Sequence, residues 1–288
     1  MPIDPDAVGA VTGPFESSWS HHDCILYALT VGACMDDPLG VELAYVTDNT
    51  ADVELQALPT MCSVLGGVLD TPSPLTMIGD YDRRKSVHGS VEIVLERPLP
   101  PEGSVTSTVA VDGIYDKGKA ALVSLVIAAE DSTSGDRLFQ VRNGIFIRDE
   151  GGWGGDPGPP WHAGAVPERS PEASVVQTPR AEQPLFYQLN GDRNPLHTDP
   201  AAAIRAGFER PIMHGMCTFG FVGRAVIQAM CGGDPDRIAG MGCRFGGPAL
   251  PGEAIETDMW LNDEQVVFQT RSQGRTVLSG GYVTLRSI

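Results

Sequence analysis

The chain has 288 residues, 42% of them hydrophobic, enough for one large globular domain or two ordinary ones. Its formal charge is -17 with no basic block, which excludes a nucleic-acid surface and disfavours an anionic membrane, since both need clustered Lys and Arg. No apolar run is long enough to span a bilayer, and the first residues have neither a basic nor an apolar signal character, so a cytoplasmic protein is expected.

In chain order, Asp23 is read as the N-cap of a helix over 23–34 that has Ile25, Leu26 and Leu29 on one face. A short helix is read at 59–68. Strands follow near 87–95, 103–115, 120–129 and 138–147, with Asp116-Lys117-Gly118-Lys119 as a hairpin tip. Residues 151–172 carry Gly-Gly-Trp-Gly-Gly-Asp-Pro-Gly-Pro-Pro-Trp and read as a linker that Trp153 and Trp161 can dock. The second half repeats the plan. Short helices are read at 182–189 and 200–206, a long one at 214–230, and strands near 238–245, 254–261, 265–272 and 276–285. Helices first and strands after, twice over, predict an α+β fold with antiparallel sheet in two similar units, 1–150 and 173–288. The long helix is apolar almost all round and is therefore expected to be buried. Its Gly215, Gly220 and Gly223 suit a close approach of sheet or ligand.

The six cysteines, Cys24, Cys34, Cys62, Cys217, Cys231 and Cys243, show no Cys-x-x-Cys spacing. They are expected to be reduced and structural, with no metal site. No nicotinamide or phosphate-loop fingerprint is present, and no Gly-x-Ser-x-Gly.

The chemistry concentrates at 187–200, Tyr-Gln-Leu-Asn-Gly-Asp-Arg-Asn-Pro-Leu-His-Thr-Asp-Pro. Gly191 and Pro195 forbid regular structure, so this is a shaped loop. Asp192 and His197 can meet across it and move protons on one water. Gly215 falls in the first turn of the buried helix. There an unpaired N–H and the helix dipole suit an oxyanion. His214 reads as a structural hydrogen-bonding residue at the start of that helix. Arg244 has two open readings: contact with a phosphate, or pairing with an acid such as Asp192 or Asp199.

These segments resemble the hydratase-2 (MaoC-like) family of (R)-specific enoyl-coenzyme A hydratases. The resemblance rests on the 187–200 motif, on Gly-Phe-x-Arg-Pro-Ile-x-His-Gly at 207–215, and on Arg244-Phe245 followed by Pro248 and Pro251-Gly252-Glu253. The first half is similar more loosely, through Leu58-Pro59-Thr60, His88-Gly89, Arg97-Pro98-Leu99-Pro100 and the 151–155 glycines. The resemblance implies a double hot-dog fold, each half a sheet wrapped around a central helix. It implies an acyl-coenzyme A substrate, no cofactor or metal, and a homodimer. Asp192 and His197 would activate the water, Asn194 would orient it, Gly215 would hold the thioester oxygen, and Arg244 would meet the coenzyme A moiety. The product would be (3R)-3-hydroxyacyl-coenzyme A. The first half lacks the motif, so it would accommodate the acyl group, near 59–62 and Leu65-Gly66-Gly67. Two rivals remain: a dehydratase acting on acyl-carrier-protein thioesters, which an acidic surface disfavours, and a non-catalytic acyl-thioester-binding protein.

Overall fold

The computed structural model describes residues 3–66, 74–161, 165–262 and 265–287. The first half contributes β1 (Val11–Trp19), β2 (Ser86–Leu95), β3 (Gly103–Asp116), β4 (Ala120–Asp131) and β5 (Arg137–Arg148). The second contributes β6 (Ala173–Gln177), β7 (Ile238–Phe245), β8 (Ile255–Asn262), β9 (Gln265–Ser272) and β10 (Arg275–Leu285). They form one sheet in the order β1-β3-β4-β5-β2-β7-β10-β9-β8-β6, every neighbour antiparallel. Counted inward from either edge, each half runs first, third, fourth, fifth, second. The halves meet where Ser90 to Val94 of β2 pair with Arg244 to Gly240 of β7.

The eight strands read from alternation lie where expected. The two edge strands are additions. β1 contains Pro14, which suits an edge because it has no N–H to give a neighbour, and β6 is only five residues long. The first helix, α1 (His21–Thr30), begins earlier than expected. Ser20 is its N-cap, and the Asp23 carboxylate reaches back to accept from the Ser20 N–H at 2.8 Å and hydroxyl at 2.6 Å. Two short helices, α2 (Gln183–Tyr187) and α3 (Pro200–Arg205), flank the motif loop.

The long helix, α4 (Gly215–Met230), is buried at every residue from 217 to 227. Such a helix has to be covered on all sides, and the two halves share that task. The segment preceding β2 in the first half makes only a 3-10 turn, Pro59–Val64, and Pro59, Thr60, Met61 and Cys62 are buried in it. This turn packs against α4. The expected helix at 59–68 is therefore shorter and tighter, and Gly67 lies outside the described residues. A Cβ on Gly220 would stand 2.5 Å from Val31 Cγ1, and one on Gly223 2.7 Å from Thr60 Cγ2. The close approach is thus to the first half of the chain. One charge sits in this apolar helix. Arg224 donates to both carboxylate oxygens of Glu42, at 2.7 and 2.5 Å, and to the Val31 carbonyl at 2.8 Å. Both partners are buried, so loss of either would leave the other charge uncompensated.

The linker is ordered where it is described. The Asp116 carboxylate accepts the N–H groups of Gly118, Gly152 and Gly154 at 2.7–2.8 Å. Trp161 donates its indole N–H to the Gly280 carbonyl at 2.6 Å, on the outer face of the sheet. All six cysteines are free. No helix among the described residues is long and apolar enough to cross a membrane.

Gly220→Ala tests the packing of α4. The helix-propensity gain of about 1 kcal/mol is opposed by overpacking against Val31 and Tyr27, which costs roughly 1–3 kcal/mol. The variant should lose stability in urea denaturation. A rise in midpoint would contradict the contact.

Candidate active site

The motif loop is built by local hydrogen bonds. Asp192 accepts the Asn194 N–H at 3.1 Å, Asn194 accepts the Leu196 N–H at 3.1 Å, and Asp199 accepts the Ala201 N–H at 2.8 Å. Each short polar side chain caps the next turn, which is why this composition folds as a staircase of caps. Asn190 anchors the staircase to α1 by donating to the Thr30 hydroxyl at 2.7 Å. Asn194 is exposed, and its carbonyl oxygen is spent on the cap of the turn Pro195–His197. Its NH2 group remains available.

Asp192, His197 and His214 bring their donor atoms within 4.8 Å of one another. His197 Nδ1 lies 3.0 Å from the Ile212 carbonyl. A carbonyl only accepts, so Nδ1 carries the proton and Nε2 holds the lone pair. Nε2 has no hydrogen-bond partner among the described residues. His214 Nε2 donates to the Asp192 carbonyl at 3.2 Å, and its ring stacks on His197 with centroids 3.9 Å apart at 30°. His214 therefore locks both members of the pair in place, the structural role read for it. The same three side chains could be read as a metal site. However, stacked rings run their in-plane lone pairs side by side, not toward one point, and each ring gives a nitrogen to a carbonyl. The arrangement suits acid–base work better than ligation.

Burial lowers the pKa of His197 and that of His214. A like-charged neighbour, His197, lowers His214 further, to about 4. Both rings are neutral at neutral pH, so His197 is ready to accept a proton.

The pair opens into a cleft of about 630 Å³. Gly215 and Met216, in the first turn of α4, line it. The Gly215 N–H has no partner among the described residues, as the start of a helix requires. From the first half come Ser86, Val87 and His88 of β2. Arg84, Arg148 and Arg205 also line the cleft, a local cation cluster on an acidic protein. None of these three was singled out from sequence, and His88 entered only within the His88-Gly89 resemblance, not as a site residue; the three arginines are far apart in the chain and only folding collects them. Arg244 is exposed and does not line the cleft. It stands on the outer face, its Nε 3.4 Å from where a Cβ on Gly280 would lie, beside Trp161. Cys243 and Phe245, on either side of it, face inward, so strand alternation turns Arg244 out. Of the expected residues, the cleft collects Asp192, Asn194, His197 and Gly215.

Fold and site together define a two-unit antiparallel protein with Asp192, His197 and His214 clustered at the start of a buried helix. Residues 17–149 match the family described as MFE-2 hydratase 2 N-terminal domain, and residues 162–281 match MaoC like domain. The chain is 39% identical to "Enoyl-CoA hydratase ChsH3" of Mycobacterium tuberculosis over 97% of this chain and 98% of that one. It is 37% identical to "3-hydroxyacyl-thioester dehydratase Y" of the same organism, over 98% of each. The crystal structure of a MaoC-like dehydratase from Phytophthora capsici superposes with a TM-score of 0.87 at 27% identity, covering 99% of this chain and 98% of that one. The chain belongs to the MaoC-like hydratase-2 family, and its fold is the double hot-dog.

Neutral buried histidines make stability depend on pH. His88, His197 and His214 all have folded pKa values below the usual 6.5. The unfolded chain then binds more protons, so stability is complete above pH 6.5 and is lost as pH falls through the lowered values. The slope is about 1.4 kcal/mol per pH unit for each group titrating. Urea midpoints at pH 7.5 and 5.0 should show this fall, and His214→Gln should flatten it. A flat profile in the unaltered protein would contradict the assignment.

Proposed function

We propose that the protein is an (R)-specific enoyl-coenzyme A hydratase, adding water to a trans-2-enoyl thioester to give the (3R)-3-hydroxyacyl thioester. The observation that carries this reading is the His197 tautomer: with Nδ1 held by Ile212, the Nε2 lone pair is left open beside Asp192, in the cleft that also holds the free Gly215 N–H. In the reaction, one member of the pair takes a proton from water as the oxygen bonds to C3. The thioester oxygen gains negative charge, which the Gly215 N–H and the positive end of α4 stabilise. A proton then passes to C2. Asn194 has its NH2 group free to orient the water. No redox cofactor or metal enters these steps.

The steps reverse at the same site, so the protein also dehydrates 3-hydroxyacyl thioesters, and supply sets the direction. Arg84, Arg148 and Arg205 would meet the coenzyme A phosphates in place of Arg244. Coenzyme A is favoured over acyl carrier protein because the net charge of -17 repels an acidic carrier. The unit 1–150 has no second acid–base motif and serves the acyl group, with 59–66 against α4 as the element that sizes it. Fatty-acyl or steroid side-chain metabolism, a cytoplasmic location and a homodimer complete the reading.

Loss of enoyl-thioester absorbance with crotonyl-, dodecenoyl- and a branched enoyl-coenzyme A measures it. Asp192→Asn and His197→Ala should each lower kcat by about 10²–10⁴-fold with the fold intact. No turnover by the unaltered protein, or turnover indifferent to both changes, would reject the reading. Arg84→Ala and Arg205→Ala should raise KM for coenzyme A esters and weaken its dependence on salt, while leaving KM for pantetheine esters unchanged.

A further inference from the structure

One irregularity in β2 changes what the first half offers to the cleft. Along this strand His88 pairs with Ile145, yet Ser90 pairs with Gly144, so Gly89 is an extra residue. Side chains alternate across a strand, and His88, Ser90 and Glu92 would share a face without it. Ser90 stands opposite the outward Arg244, so that face is the outer one. The bulge reverses the alternation. His88 instead packs on the inward Phe245 ring, centroids 4.8 Å apart, and Ser86, two residues earlier, takes the same inner face, while Val87 is turned out at 36% exposure. Glycine suits the bulge, since a Cβ there would lie 2.3 Å from the Phe146 ring and force that ring to move. Bulges beside functional sites commonly serve to re-aim a side chain in this way.

Each redirected side chain keeps one unsatisfied polar atom, although the His88 ring also interacts with the Asn143 side chain and the Ser90 backbone. Ser86 Oγ and His88 Nε2 are each shut off from bulk water with no hydrogen-bond partner among the described residues. Burial of that kind costs roughly 1–3 kcal/mol per group unless something returns the hydrogen bond. Both residues line the same cleft as Asp192 and His197. They are about 7 Å apart along the strand. Arg84, 90% exposed at its side chain and ion-paired with Asp82 at 2.8 Å, stands at the outer end of this row. From the mouth inward the cleft therefore offers a cation, a hydroxyl, an imidazole, and then the acid–base pair.

We propose that Ser86 and His88 hydrogen-bond the amide groups of the substrate's pantetheine arm, making the first half a part of the substrate site. The hydroxyl turns about χ1 and the imidazole about χ2 to meet them. A hydroxyl and a neutral imidazole each donate and accept, as an amide's N–H and C=O require. Two side chains rooted about 7 Å apart on one face of a strand can both reach one extended chain bearing two amides, and the row runs from the phosphate end to the reacting end. This rests on the hydratase reading for its thioester, but its recognition element is the arm alone.

The test compares the unaltered protein with Ser86→Ala, His88→Ala and His88→Gln. Each is assayed on crotonyl-pantetheine and on S-ethyl thiocrotonate, which has no amide, and each is titrated calorimetrically with pantetheine. The expected result is a fall of about 10-fold in kcat/KM for the pantetheine ester in both alanine variants, under 2-fold for the S-ethyl ester. Pantetheine binding should weaken in parallel, with part of the loss restored in His88→Gln. Equal losses on both esters, or unchanged pantetheine binding, would overturn the proposal. If His88→Ala does not fold, Ser86→Ala decides alone. Pantetheine binding that depends on these residues without turnover of either ester would reject the hydratase reading and leave this one standing.

Discussion

A sixteen-residue helix with no polar face has no stable place at a surface, and the covering of α4 is the constraint on which this structure depends. The second half contributes five strands among the described residues, and the helix also packs against the first half at Tyr27, Val31 and Thr60. The Pro59–Val64 turn and α1 from the first half close the remaining sides, with glycines at the contacts and polar ties from Arg224 to Glu42 and Val31 and from Cys217 to Thr30. Burial of α4 then sets up the chemistry. Its first turn ends in the cleft with N–H groups unpaired among the described residues, and His214, immediately before it, reaches the Asp192 carbonyl and the His197 ring. The acid–base pair is held by the residue that starts the helix.

The two halves share a plan but differ in what they place at the cleft. Both have the same strand order, and both place their second strand at the central seam. The second half carries the acid–base motif. The first carries a short turn where its counterpart carries α4, and a bulged strand that turns Ser86 and His88 toward the shared cleft.

Much of this was legible in the sequence, for physical reasons that differ by element. Eight strands announce themselves through alternation and turn residues, and α4 through an apolar run too long for a strand. The Asp192 to His197 loop is legible because Gly191 and Pro195 exclude regular structure around three chemically able side chains. β1 and β6 were missed because an edge strand buries one face at most, and Pro14 and a five-residue length blur even that. Arg244 was readable as outward-facing from its position between Cys243 and Phe245, had strand alternation been weighed above the motif it stands in. His88 was not readable: its direction depends on an extra residue in pairing, and pairing is a tertiary property. The arginines of the cleft come from positions 84, 148 and 205 and share no local pattern.

The seam between β2 and β7 has a further consequence. Either half taken alone would end in a bare strand, with a row of unmatched N–H and C=O groups on what is now the middle of a ten-stranded sheet. Such an edge invites association with any strand available. The halves are therefore inseparable as soluble pieces despite their matching plans, and severing the chain within 151–172 would leave fragments that persist only by finding each other again.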